Sequence, residues 1–128
     1  MTPGSTSALA EMIRAAQLRI GEHDIGRRAV LAVAGEVDIN TAADLGTAID
    51  AARSRAFEVW VDLSDTSFMD SSGLRALVDA RARLTEANVR LVLICPAGPV
   101  LRVLQLTNLA QLFEIHATRG EANYAATA

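Results

Sequence analysis

Apolar residues along this chain fall into short runs of alternating or continuous character, separated by stretches where they recur every three or four positions. Alternation marks a strand with one buried face, and recurrence at i, i+3, i+4 and i+7 marks a helix with one apolar stripe. Residues 17–22 read as a short first strand, with Leu18 and Ile20 on one face, before a turn around residues 24–26. Residues 28–34 form a second strand with branched residues at its middle, and the short link favours an antiparallel hairpin. Gly35-Glu36-Val37-Asp38 breaks that pattern. Asn40 and Thr41 offer N-cap oxygens to a helix through about Ser54, whose apolar face holds Ala43, Leu45, Ala48, Ile49 and Ala52.

Residues 59–63 are a third strand, with Val59, Val61 and Leu63 on one face and Trp60 and Asp62 on the other. The next helix starts at Ser71 or Ser72 and runs to about residue 86. Leu74, Leu77, Val78, Arg81 and Leu84 lie near one face of it, Arg81 at the margin, and Arg75, Asp79 and Arg83 form an outward ladder. Residues 89–95 are apolar except for Arg90 and predict a strand covered on both faces. Pro99 suits the first turn of a helix to about Thr107, and Asn108 falls where a left-handed cap is expected, with Leu109 folding back. Residues 112–116 predict a last short strand and residues 120–126 a terminal helix. Residues 1–7 are small and polar, a mobile tail, and residues 8–16 add a helical turn. The organisation is a tail over residues 1–16 and one domain over residues 17–128. Helix and strand alternate after the hairpin, which predicts an α/β domain: a mixed, mostly parallel sheet, an antiparallel N-terminal strand and crossover helices.

Composition narrows the partners more than the fold. Aromatics make up 4% of the 128 residues against 51% hydrophobic overall, so Val, Leu, Ile and Ala must build the core. A net charge of −3 offers no general attraction to nucleic acid or to an anionic membrane. Cys95 is the single cysteine, which excludes an intrachain disulfide and a multi-cysteine metal site, and it reads as a small buried hydrophobe. No apolar run approaches the roughly 20 residues of a membrane span, and the start lacks a basic-then-apolar signal pattern. A soluble cytoplasmic protein is expected.

The chemistry concentrates in residues 59–74, where an apolar strand runs into a polar turn that delivers two adjacent serines to a helix start. Unpaired N–H groups and the positive end of the helix dipole make a phosphate electrostatically welcome there. By residue type alone the cluster is a helix cap, yet one cap suffices and Asp70, Ser71 and Ser72 stand in a row. Spacing does not choose between the two serines. Neither sits in a Gly-x-Ser-x-Gly elbow and nothing places His23 or His116 beside them, so serine hydrolysis is disfavoured. No Gly-rich phosphate loop is present. Glu36 and Asp62 read as polar residues hydrogen-bonded at strand ends.

Three segments carry a family resemblance: Gly35-Glu36-Val37-Asp38; Val61-Asp62-Leu63-Ser64 leading into Phe68-Met69-Asp70-Ser71-Ser72-Gly73; and Leu106-Thr107-Asn108-Leu109 with Leu112-Phe113-Glu114-Ile115. In this order they resemble the STAS domain, and within it the anti-sigma factor antagonists, over nearly the whole chain after the tail. Asn108 replaces the family's usual glycine, a change that asparagine's tolerance of the left-handed conformation makes cheap. The resemblance implies phosphate acceptance at Ser71, with Ser72 capping the helix and Gly73 leaving room for a partner's backbone or nucleotide phosphates. Asp70 is open between orienting the Ser71 hydroxyl and a plain surface turn. Asp38, Thr41, Asp70, Ser71, Ser72, Gly73 and Arg75 are then the partner-binding residues. The implied partners are an anti-sigma factor kinase, bound when Ser71 is unmodified so that a sigma factor is released, and a PPM-type serine phosphatase that restores that state. ATP and Mg²⁺ belong to the kinase, so the chain has no cofactor of its own and is a substrate, not an enzyme. The rival reading keeps the fold and makes the chain an adaptor in a signalling scaffold or transporter complex.

Overall fold

Strands β1 (Arg19–Ile25) and β2 (Arg28–Val37) pair antiparallel in the computed structural model, which describes residues 8–13 and 17–127. Ile25 pairs with Arg28, so Gly26 and Arg27 alone make the turn, one residue later than the sequence pattern suggests. Gly26 takes φ +61°, the left-handed value that the first position of such a two-residue turn calls for. Helix α1 (Ala42–Arg53), β3 (Glu58–Met69), α2 (Ser71–Glu86), β4 (Arg90–Ile94), α3 (Pro99–Leu106), a 3-10 turn (Leu109–Leu112), β5 (Glu114–His116) and α4 (Arg119–Thr127) follow. The sheet order is β1-β2-β3-β4-β5, and every pair after the hairpin is parallel. This is the expected mixed α/β sheet. Residues 8–13 are helical, whereas the expected mobile tail at residues 1–7, and residues 14–16, lie outside the described residues. No helix among the described residues is long and apolar enough to cross a membrane.

The two faces of the sheet are covered separately. Leu31, Val33, Val59, Val61, Leu63 and Leu93 pack against Leu45 and Ile49 of α1, Leu77 and Leu84 of α2, and Leu104 of α3. Each such fully buried side chain contributes about 1.5–3 kcal/mol relative to exposure. Val30, Trp60, Val92 and Ile94 face the other way and are covered by Ala122 of α4. Alternation along β3 therefore serves both layers, as the split of Val59, Val61 and Leu63 from Trp60 and Asp62 predicts. Asn108 takes φ 62° after α3, the left-handed cap expected of it, and Leu109 folds back onto the main core.

Three expectations need correction. The buried stripe of α2 is Gly73, Leu74, Leu77, Ala80 and Leu84; Val78 is half-buried and Arg81 is exposed, its Nε donating to the Leu112 carbonyl. Arg83 is not part of an outward ladder, because its Nε reaches across to Asp50 of α1 at 2.8 Å. On α1, Ala42 is buried and Ala43 exposed. The strands also run further than the pattern shows, β2 through Val37 and β3 through Met69. Their register shifts twice, so that Ala32 faces Asp62 and Ala34 faces Asp65, then Gly35 faces Thr66 and Glu36 faces Phe68. Each shift places an extra residue on β3 and resets its alternation, which is why residues 64–68 look like a turn. Thr66 is buried within this irregular stretch, its hydroxyl donating to the Val33 carbonyl at 2.8 Å.

Asp62 ties α4 to the sheet. It is 8% exposed, accepts the Arg119 Nε–H at 2.6 Å, and accepts the Ser64 hydroxyl at 2.6 Å and amide at 2.9 Å. Burial pushes its carboxyl up, but the Ser64 bonds and Arg119 together outweigh burial and hold it below the usual carboxylate range. The folded pKa is thus depressed below an unfolded value of about 3.9, so the stabilisation is full above that value and lost as pH falls through the folded one. Asp62→Asn is expected to cost about 1–3 kcal/mol at neutral pH. Urea denaturation should show the gap between the proteins closing below about pH 4; a gap that stays constant into acid would contradict the assignment.

Candidate functional site

Strands β2 and β3 outrun β4. The β3–β4 pairing ends at Asp62 and Ile94, whereas β2 and β3 stay paired to Val37 and Met69. The chain then turns at once: the Asp70 amide donates to the Val37 carbonyl at 3.2 Å, Asp70 is extended, and α2 starts at Ser71. The Asp70 carboxylate accepts the amides of Ser72 at 2.9 Å and Gly73 at 3.2 Å. Asp70 is therefore the N-cap, which corrects the assignment of that role to Ser72 and gives Asp70 a structural part other than the two left open for it. Ser72 is half-buried. Ser71, at the first helical position, is exposed with its hydroxyl accessible at the positive end of a 16-residue helix.

Gly73 is a packing residue. It is buried, and a Cβ there would lie 2.5 Å from Met69 Cγ, 2.9 Å from Val37 Cγ1 and 3.2 Å from the Val37 carbonyl oxygen. The space over it is filled by this chain's own β2 and β3, so the expectation that it leaves room for a partner or nucleotide is corrected.

The loop after β2 lies beside this turn because Val37 belongs to both. Asp38 Oδ1 accepts the Asn40 amide at 2.9 Å, and the Asp38 amide donates to Thr41 Oγ1 at 2.9 Å. The Thr41 hydroxyl in turn lies 2.9 Å from the Glu36 carbonyl and 3.2 Å from Asp38 Oδ1. Thr41 occupies the N-cap position of α1 but makes no side-chain cap bond, and the Asp38 carbonyl accepts the Thr41 and Ala42 amides instead. Asp38 and Thr41 thus fix the loop's shape. Arg75 stands one helical turn beyond Ser71, 84% exposed in its side chain and 3.9 Å from Asp79.

Two residues absent from the sequence-based set stand out. Ile39 is 78% exposed in the loop and Phe68 is 46% exposed near the end of β3. Both lie at the end of the sheet that carries Ser71, and large exposed apolar side chains beside a polar turn suit a docking surface. Ile39 was visible as a lone apolar residue between Asp38 and Asn40, and Phe68 was obscured by the register shifts of β3.

Other reactive side chains are placed elsewhere. His116 Nε2 pairs with Glu114 at 2.9 Å and His23 lies in β1 opposite Val30. Cys95 is buried at the end of β4, where burial and the neighbouring Asp62 charge push its thiol up to about 11 and keep it protonated. The chemistry available to this end of the sheet is that of an accessible hydroxyl, presented by a backbone whose own needs are met by Asp70. Asp70→Ala should destabilise the fold by about 1 kcal/mol and Ser71→Ala or Ser72→Ala by less. Gly73→Ala should cost about 1–3 kcal/mol through overpacking. Urea denaturation of the four variants checks this order, and a Ser72→Ala loss matching that of Asp70→Ala would contradict the capping register.

Comparison with known proteins bears on this geometry. The STAS domain family matches residues 20–122. The anti-sigma-B factor antagonist of Listeria monocytogenes is 33% identical over 92 residues, 71% of this chain and 81% of that protein. An anti-sigma factor antagonist from Mycobacterium paratuberculosis superposes with a TM-score of 0.79 at 25% identity, covering 88% of this chain and 97% of that one. The anti-sigma factor antagonist SpoIIAA in its unphosphorylated form shares the fold, with a TM-score of 0.65 at 19% identity over 85% of this chain and 97% of that one. The phosphorylated form of SpoIIAA from Bacillus superposes with a TM-score of 0.64 at 22% identity, over 84% and 99% respectively. With one family covering all five strands and relatives matching over most of both chains, this protein belongs to the STAS domain family.

Proposed function

We propose that this protein is an anti-sigma factor antagonist that binds an anti-sigma factor serine kinase while Ser71 is unmodified, and so releases a sigma factor. The kinase, carrying ATP and Mg²⁺, returns it to the off state. The Ser71 oxygen bonds to the γ-phosphorus of ATP, the bond from that phosphorus to the ADP oxygen breaks, and the hydroxyl proton leaves to a base or to solvent. A PPM-type phosphatase hydrolyses the ester and regenerates the hydroxyl. The observation that carries this reading is Ser71 itself: exposed at the first position of α2, while Asp70 does the capping. Relatives named anti-sigma factor antagonists support it, among them one solved with and without its phosphate.

Charge decides where a phosphate acts. It brings about −1.5 to −2 units at neutral pH, repelled by Asp70 and attracted by the helix terminus by about 0.3–1 kcal/mol. These oppose each other within the domain, so the fold is spared. An unpaired charge buried under a docked partner costs several kcal/mol, and that term dominates. The docking face would comprise the loop of Asp38 and Thr41, the exposed Ile39 and Phe68, Ser71 and Arg75.

Ser71→Ala is expected to keep full affinity for the kinase and to accept no phosphate, and Ser71→Glu to bind much more weakly. Ile39→Ala and Phe68→Ala should each weaken binding by about tenfold, as anchors losing about 1–2 kcal/mol. Calorimetric titration of these variants and of the phosphorylated protein against kinase with nucleotide is the measurement. Equal affinity of unmodified and phosphorylated protein would refute the switch, and mass-spectrometric mapping of phosphate to Ser67 or Ser72 would refute the acceptor.

A further inference from the structure

Ser71 and Arg75 are four residues apart on α2, so their side chains share one face with Cβ atoms about 5–6 Å apart. The Arg75 guanidinium is engaged by Asp79, at 3.9 Å and with both side chains largely in solvent, a pairing that salt screens and that holds little. Its order along the helix is also the poorer one, the base standing N-terminal to the acid; the helix dipole favours the reverse. An acidic group at residue 71 would stand in the favoured order, N-terminal to Arg75. Resting on the reading that Ser71 takes phosphate, we infer that Arg75 is the intramolecular partner of that phosphate, turning back from Asp79 to close over the modified Ser71.

The phosphate wins this competition on three counts. It carries up to twice the charge of Asp79, it presents three acceptor oxygens that a guanidinium can take in pairs, and it sits on the favourable side of Arg75. The acidic groups of this end are Glu36, Asp38, Asp44, Asp65 and Asp70, and its sheet cation, Arg19, stands on the edge strand β1 opposite Ala34, two strands from the end of β3 that leads into α2. Of the other arginines on α2, Arg81 donates to the Leu112 carbonyl and Arg83 is already taken by Asp50 at 2.8 Å. Arg75 lines a groove of about 290 Å³ between α1 and α2 together with Ala42, Gly46, Ser72 and Asp79. Its turn toward residue 71 withdraws one cation from that groove and uncovers Asp79, while Arg83 stays with Asp50. Phosphorylation then changes the docking face twice, by adding charge at the turn and by removing one of the two arginines, Arg75 and Arg83, that line the groove beside it.

The test uses the full chain with phosphoserine encoded genetically at position 71, without any kinase. Phosphorus NMR follows the second ionisation of the phosphate in the otherwise native chain and in Arg75→Gln. The acidic neighbours are common to both proteins, so their effect cancels in the difference. At low salt the midpoint should rise by about 0.2–0.4 pH unit in Arg75→Gln, and the difference should shrink at about 0.5 M salt. The Arg75 Nε–H resonance should shift with the same midpoint. An exposed arginine is no part of the core, and urea denaturation verifies that the variant is folded. Equal midpoints in the two proteins at low salt would overturn the inference. Because the phosphoserine is encoded, that result counts against the Arg75 contact alone, whereas kinase-transferred phosphate mapped to another residue counts against the reading on which it rests.

Discussion

Gly73 lacks a Cβ, and for that reason the first turn of α2 lies directly on Val37 and Met69, where an added atom would stand 2.9 and 2.5 Å from their side chains. Much of this end of the molecule depends on that approach. For Val37 and Met69 to be present under the helix, β2 and β3 must continue as a pair beyond the last residue of β4, and they do. With the helix seated there, the Asp70 amide meets the Val37 carbonyl and its carboxylate meets the amides of Ser72 and Gly73. The helix start is then complete without any contribution from the serine between them. Ser71 points away from the packed side because Gly73 and Leu74 occupy it.

The layers of the fold were legible in the sequence because the forces that make them are local. The parallel strands are short apolar runs, the helices repeat near 3.6, and Gly26, Pro99 and Asn108 mark turns and caps by their backbone preferences. What was hidden depends on pairing partners. Residues 64–67 are polar because that part of β3 has passed the edge of β4, and two register shifts destroy the alternation that would have marked it as strand. Arg83 read as outward because helical periodicity says nothing of Asp50 on the neighbouring helix.

At the site, residue type marks the turn between β3 and α2 but misassigns duties within it. Asp, Ser and Ser are all good caps, and choosing among them requires the register of the helix, which only the docking of Gly73 fixes. Gly73 reads as open space in the sequence and is contact in the fold, because a sequence shows the absence of a side chain but not what fills the gap. Thr41 and Asp38 are legible as loop residues, although their side chains bond to one another, to Asn40 and to Glu36 rather than capping the helix that follows. Ile39 and Phe68 are exposed apolar groups whose meaning comes from where the topology carries them, at the sheet end shared with Ser71.

Within residues 68–75 the structure separates two tasks that a six-residue motif appears at first to merge. Met69, Asp70 and Gly73 are buried or bonded and hold the turn to the sheet, while Phe68, Ser71 and Arg75 are exposed and contribute little to holding it. Alternation between the two sets follows from the geometry of a strand entering a helix, where successive side chains diverge first by half a turn and then by about 100°. Such a division lets charge be added and removed at one position without moving the backbone that displays it. A serine that also served as the cap would lose a hydrogen bond or gain a clash each time it was modified, and the signal would be mixed with partial unfolding of the first turn. With the cap on Asp70, the phosphate that the proposed function puts on Ser71 would leave the hydrogen bonds of the first turn in place and alter only the exposed face.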